Sequence, residues 1–203
     1  MLGFVLVISY SVAASLHDLR KQFVVEEANI VSTAYLRADL LDRKSKNEVK
    51  RLLKEYVDVR LQAIPPERRA DALKKSLEIH RQLWSLAAAN AIKAPSHNTQ
   101  LFVQSINNLI DMHQKRVIVG VRARIPASIW LALTAISTLT MVTLGIQLGM
   151  SRSRRIVAIV PMSLAFAVLV TLIVDLDRPQ GGMTRVGQGA LLDLQASMHR
   201  DSR

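Results

Sequence analysis

Residues 125–150 read IPASIWLALTAISTLTMVTLGIQLGM, 26 positions without a charged side chain. A helix rises about 1.5 Å per residue and a hydrocarbon core is about 30 Å thick, so roughly 20 helical residues cross it. This stretch is long enough, and Pro126 sits where a proline suits the first turn of a helix. Residues 156–174, IVAIVPMSLAFAVLVTLIV, form a second uncharged run of 19 positions. The connection Ser151-Arg152-Ser153-Arg154-Arg155 is so short that the two runs make an antiparallel hairpin. At the other end of the chain, residues 1–16 are uncharged up to His17 and Asp18, which is near 24 Å of helix. This first block reads either as a membrane anchor or as a cleaved signal peptide with Val12-Ala13-Ala14 at the cleavage site. No Lys or Arg precedes it, as the n-region of a signal requires, and this favours the anchor.

The expected fold is therefore an all-α membrane protein with three hydrophobic spans, at 1–16, 126–150 and 156–174. A basic helical extramembrane domain of about four helices occupies 17–125, and a tail follows at 175–203. Composition agrees: half of the 203 residues are apolar but only 4% are aromatic, and the apolar ones come in blocks. The net charge is +11, and residues 17–125 hold 20 Lys and Arg against 12 acids. Beside a bilayer such a surface points to anionic headgroups rather than to nucleic acid.

Within the domain, Val24, Ala28, Val31, Tyr35 and Ala38 continue the first span as a helix. Val49, Leu52, Leu53, Tyr56, Val57 and Leu61 mark a second helix, ended by Pro65-Pro66. Ala70, Leu73, Leu77, His80, Trp84 and Ala87 mark a third, broken by Pro95-Ser96-His97-Asn98. Phe102, Ile106, Leu109, Ile110, His113 and Val117 mark a fourth. The chain has no cysteine, which removes disulfides, thiolate catalysis and Cys-based metal sites. There is no Walker loop, dinucleotide glycine fingerprint, H-E-x-x-H or nucleophile elbow. No catalytic role, cofactor or metal is expected.

Several strings, taken together, resemble the bestrophin-like domain family of bacterial membrane proteins. They are Val24-Val25-Glu26-Glu27-Ala28-Asn29, Thr33 to Leu41 (TAYLRADLL), Tyr56-Val57-Asp58-Val59-Arg60-Leu61, Ile110-Asp111-Met112-His113 with Arg116, Arg124-Ile125-Pro126, Leu144 to Gly149 (LGIQLG) and Asp175-Leu176-Asp177-Arg178-Pro179. The resemblance implies a four-helix membrane core, with a further hydrophobic segment ahead of the first span and Met1 a truncated or misassigned start. It also implies kinship to anion channels of the bestrophin type, which assemble as rings of subunits around a narrow, commonly aromatic constriction. For that constriction the spans offer Phe4, Tyr10, Trp130 and Phe166.

Thr134 and Thr138, with Ser137 and Met141, form a small or polar stripe on the second span that reads as a helix contact or as a pore lining. Gly145 and Gly149 form a GxxxG pattern for close helix packing. Asp175, Asp177 and Arg178 lie where the last span ends. They read either as part of an ion path or gate, with Arg178 attracting anions, or as an ion-pair cluster closing the helix. Glu26, Glu27, Arg37 and Asp39 are candidates for structural ion pairs with Arg122, Arg124 or Arg178, given antiparallel packing of the first and fourth helices; a cation-binding carboxylate site is the less favoured alternative. His80 and His113 read as two partly buried, hydrogen-bonded histidines, since Asp111 and His113 face different ways.

Counting Lys and Arg near the span ends sets Arg20, Lys21, Lys115, Arg116, Arg122, Arg124, Arg178 and Arg185 against Arg152, Arg154 and Arg155. That count places the domain on the cytoplasmic side of the bacterial inner membrane. Two functions fit: an oligomeric channel for anions, or a non-conducting scaffold or sensor whose basic domain binds lipid headgroups or a partner protein.

Overall fold

The computed structural model describes residues 2–63, 65–122, 125–150, 156–177 and 186–201. These residues are all-α, with no strand among them. The helices are α1 (Leu2–Arg37), α2 (Arg43–Gln62), α3 (Arg69–Lys93), α4 (His97–Val117), α5 (Ala127–Met150), α6 (Ile156–Asp177) and α7 (Gly189–Arg200). The chain divides into two compact units: residues 1–19 with 121–186, and residues 20–120 with 187–203.

The second unit is a helical domain in which α2 packs against α3 and α7, and α3 against α4. Helix α1 enters it as an unbroken continuation of its N-terminal half, since no Gly or Pro interrupts residues 4–37. It buries Val24, Ala28, Val31, Ala34 and Tyr35, the stripe that its spacing marks. Asp42 opens α2: its side chain accepts from the backbone N–H groups of Lys44 and Ser45, at 3.1 Å each. Such a cap stabilises a helix by about 1 kcal/mol. Helix α2 then buries Val49, Leu52, Leu53, Tyr56 and Val57, as its pattern predicts.

Helix α3 differs from its sequence reading. It buries Ala72, Ser76, Ile79, His80, Leu83, Ala87 and Asn90, while Leu77 and Trp84 stand exposed. The packed face runs through Ala72, Ser76, Ile79 and Leu83, one position before the stripe that Leu73, Leu77, His80 and Trp84 mark. Helix α4 begins with a capping box in which Ser96 and Thr99 exchange hydrogen bonds, Thr99 N to Ser96 Oγ at 3.2 Å and Ser96 N to Thr99 Oγ1 at 3.0 Å. It ends in a π turn, Ile118–Arg122. The wider turn frees carbonyls, and Arg20 Nε donates to Val119 O at 3.4 Å. The tail is not left loose, because α7 buries Leu191, Leu194 and Met198 in this unit.

The first unit consists of the start of α1 with α5 and α6. Its core is slim: Leu6, Ala13, Ile125, Leu133, Ile173 and Leu176, with Trp130 and Phe166 packed against it. Many large apolar side chains remain outside that core, among them Phe4, Val7, Leu131, Leu139, Val142, Ile146, Leu164 and Val168. Among the described residues, no helix is long and apolar enough to cross a membrane. The apolar runs of α5 and α6 include residue 144 and residues 147–150 and 156–162, whose side chains lie outside that description.

Candidate functional site

The most unusual chemistry of the described residues lies inside the helical domain, around Glu27. Its position is fixed by the α1 stripe: Glu27 falls between Val24, Ala28 and Val31 on the face that packs inward, and its side chain is fully buried. An isolated buried carboxylate is very costly, so it needs charged and hydrogen-bonding partners. Two helices supply them. From α2, Tyr56 Oη donates to Glu27 Oε1 at 2.6 Å and Arg60 Nε lies 3.2 Å from the same oxygen. From α4, Arg116 Nη1 donates to Glu27 Oε2. Tyr56 and Arg60 are one helical turn apart, which brings both onto one carboxylate.

Two imidazole rings extend the cluster. His113 of α4 approaches Tyr56 Oη with its Nδ1 at 3.3 Å. The phenol has a single hydrogen and gives it to Glu27, so His113 Nδ1 carries the proton and donates to the phenol oxygen. His113 Nε2 is then a bare acceptor. His80 of α3 lies edge-on to His113 with ring centroids 4.7 Å apart, and 5.0 Å from the Tyr56 ring. Among the described residues, His113 Nε2, both ring nitrogens of His80 and Ser76 Oγ are buried without a hydrogen-bond partner.

Protonation states follow from this packing. Burial pushes the Glu27 carboxyl up, but Arg60 and then Arg116, with the hydrogen bonds from Tyr56 and Arg116, outweigh it and hold Glu27 below its ordinary value. Burial, followed by the charge of Glu27, raises the Tyr56 phenol well above its own. Burial lowers His80 to about 4. Burial first, then His80 and Arg60, lowers His113 to about 3. At neutral pH the cluster is one carboxylate between two guanidinium groups, backed by a neutral phenol and two neutral imidazoles. It is built to lock three helices together in one register, and no group in it is poised to exchange a proton near pH 7.

The sequence model of the bestrophin-like domain matches residues 1–191. The chain belongs to the bestrophin-like domain family. Among curated proteins nothing matches it, and among solved structures nothing matches it either. The family match takes in Glu27, Tyr56, Arg60, His80, His113 and Arg116 together with α5 and α6.

In this bestrophin-like chain the remaining candidates fall apart into local roles. Glu27 is paired with Arg60 and Arg116, and the side chain of Arg122 lies outside the described residues. Glu26 is half-buried beside it. Arg37 Nη1 donates to the Leu101 carbonyl of α4 at 2.8 Å. Asp39 lies 2.7 Å from Lys46 Nζ and 2.9 Å from Lys50 Nζ. Asp177 Oδ1 accepts from the backbone N–H of Ile125 at 2.8 Å, tying the end of α6 to the entry of α5. Asp175 has a partner as well. Arg178 and Arg124 lie outside the described residues, and so does the surround of Gly149. Thr134 and Thr138 are exposed, and their hydroxyls donate to the carbonyls of Trp130 and Thr134 at 2.8 and 2.9 Å. At Gly145 an added Cβ meets nothing within 4 Å, so this glycine makes no close helix contact within the described residues of one chain.

Tyr56 and Arg60 stand in one of the strings that carry the family resemblance, but the sequence alone gives them no role at the site. The physical signal for that role is a charged residue, Glu27, on an apolar stripe, which demands a cation from a neighbouring helix.

Proposed function

We propose that the chain is a multi-pass membrane protein whose three apolar segments, in α1, α5 and α6, lie in the bilayer, associate with copies of themselves and conduct anions. The observation that carries this reading is the set of large aliphatic side chains left outside the slim core of the first unit; Leu131 alone is 76% exposed. An apolar surface of that extent needs lipid or protein to cover it. Helices α5 and α6 hold 24 and 22 residues, and neither has a charged residue before Asp175, which at about 1.5 Å per residue matches a hydrocarbon core. Along α5, Thr134, Thr138 and Thr143 return their hydroxyls to carbonyls one turn back, which is how hydroxyls are tolerated in lipid. Kinship with bestrophin-type channels supports the anion as the permeant species, and the excess of Lys and Arg around the spans supports the cytoplasmic placement of the helical domain.

A second reading is favoured by the same threonines. Hydroxyls committed to their own helix do not by themselves form a polar lane, which suits a non-conducting scaffold that holds the helical domain at the membrane. Chloride flux through liposomes containing the purified protein separates the two. Flux that scales with protein content, and that Thr138→Leu alters, is the result expected of the channel. A correctly inserted protein that gives no flux contradicts conduction and leaves the scaffold.

A further inference from the structure

Lys46, Lys50 and Lys54 follow one another at four-residue intervals along one face of α2. Like charges at that spacing destabilise a helix unless anions answer them. They gather around Tyr35 of α1: Lys50 Nζ is 4.4 Å and Lys54 Nζ 5.8 Å from its ring centroid. With Asp39 and Asp201 they line a recess of about 570 Å³, a volume within the range of small-ligand sites.

The carboxylates answer the lysines only in part. Asp39 bridges Lys46 and Lys50. Asp201, at the C-cap of α7, places Oδ2 3.1 Å from the hydroxyl of Tyr35 and 3.1 Å from Nζ of Lys50. Lys54 has no carboxylate partner among the described residues. Arg51, at the same recess, is already held between Glu48 and Glu55. A phenol hydroxyl and an ammonium therefore converge on one anionic oxygen, a third cation has no carboxylate among the described residues, and the oxygen belongs to a side chain that is 57% exposed.

We propose that this recess binds a phosphorylated anion, which takes the seat of the Asp201 carboxylate between Tyr35 and Lys50 and recruits Lys54 as a further donor. A phosphate group carries more charge and more acceptor oxygens than one carboxylate, and flexible ammonium groups bind it as point charges without a fixed fork geometry. A soluble phosphate compound and a phosphorylated lipid headgroup share this chemistry. The site is independent of whether the spans conduct.

The test is a calorimetric titration of the full chain in detergent with inorganic pyrophosphate. Saturable binding is expected. Lys54→Gln weakens it about tenfold, the loss of one charge-assisted hydrogen bond, whereas Lys54→Arg stays within about threefold because the charge is kept. Asp201→Asn tightens binding by removing the competing carboxylate. Repeating the titration in phosphatidylcholine nanodiscs with and without phosphatidic acid separates the sources. Competition by the lipid assigns the seat to a headgroup, and none assigns it to a soluble compound. Absence of saturable binding, or an affinity that neither Lys54→Gln nor Asp201→Asn changes, overturns the proposal.

Discussion

Replacing Glu27 with glutamine removes the one carboxylate that faces Arg60 and Arg116 among the described residues, and the expected cost is large. The side chain is fully buried, and Arg116 and Arg60 beside it are 12% and 13% exposed, so neither guanidinium regains its hydration without moving. Each hydrogen bond to a charged partner contributes about 1.5–3 kcal/mol, and a buried charge stripped of its partner costs about 3–5 kcal/mol. The glutamine oxygen still accepts one hydrogen bond, so Glu27→Gln is expected to destabilise the domain by about 3–5 kcal/mol at pH 7. Denaturant unfolding of the full chain in detergent, followed by Trp fluorescence, measures it. Arg116→Met and the double variant complete a cycle in which the expected coupling is about 2 kcal/mol or more. A coupling below about 0.5 kcal/mol would refute the claim that this pair locks α1 to α4.

The two histidines make stability depend on acid. Between about pH 6.5 and 4 the unfolded chain binds protons that the folded chain refuses. Stability is therefore full above pH 6.5 and falls as the pH drops, by up to about 2.7 kcal/mol per pH unit for two sites; Glu27 adds to the loss below its ordinary value of 4.5. A flat unfolding midpoint from pH 7 to 5 would contradict this. His80→Leu removes two unpartnered buried nitrogens, so it should be neutral or stabilising at pH 7 and roughly halve the acid slope, as unfolding at several pH values will tell. Ser96→Ala breaks the capping box and should cost about 1 kcal/mol, read from the same unfolding curves. Thr138→Leu should leave the fold intact by circular dichroism, since the hydroxyl donates to the Thr134 carbonyl of its own helix.

Much of this architecture is written in periodicity. The faces of α1, α2 and α4 are marked by large apolar residues at helical spacing, from Val24 to Tyr35, Val49 to Val57 and Phe102 to Leu109, and each is the buried face. Helix α3 is not so marked: its packed face mixes Ala72, Ser76 and Ala87 with Ile79 and Leu83, while Leu77 and Trp84 draw a pattern reading one position aside. Glu27 is visible as a charge on an apolar stripe, but its partners are not. Arg60 and Arg116 reach it only because α2 and α4 both pack near α1, and spacing along one helix carries no record of which helix lies opposite. The same holds for His80 and His113, set edge to face from separate helices, and for the recess around Tyr35, closed by a residue 166 positions away.

The account rests on α5 being in the bilayer, and the absence of cysteine allows that to be tested with single introduced thiols. In membranes of the expressing cell, Leu139→Cys is predicted to resist a membrane-impermeant maleimide from either side until the protein is denatured. Ser153→Cys should react in intact cells, and Ser45→Cys only once the inner membrane is opened. If Leu139→Cys reacts in native membranes as fast as Ser45→Cys in opened ones, α5 faces water and the membrane-spanning account is wrong.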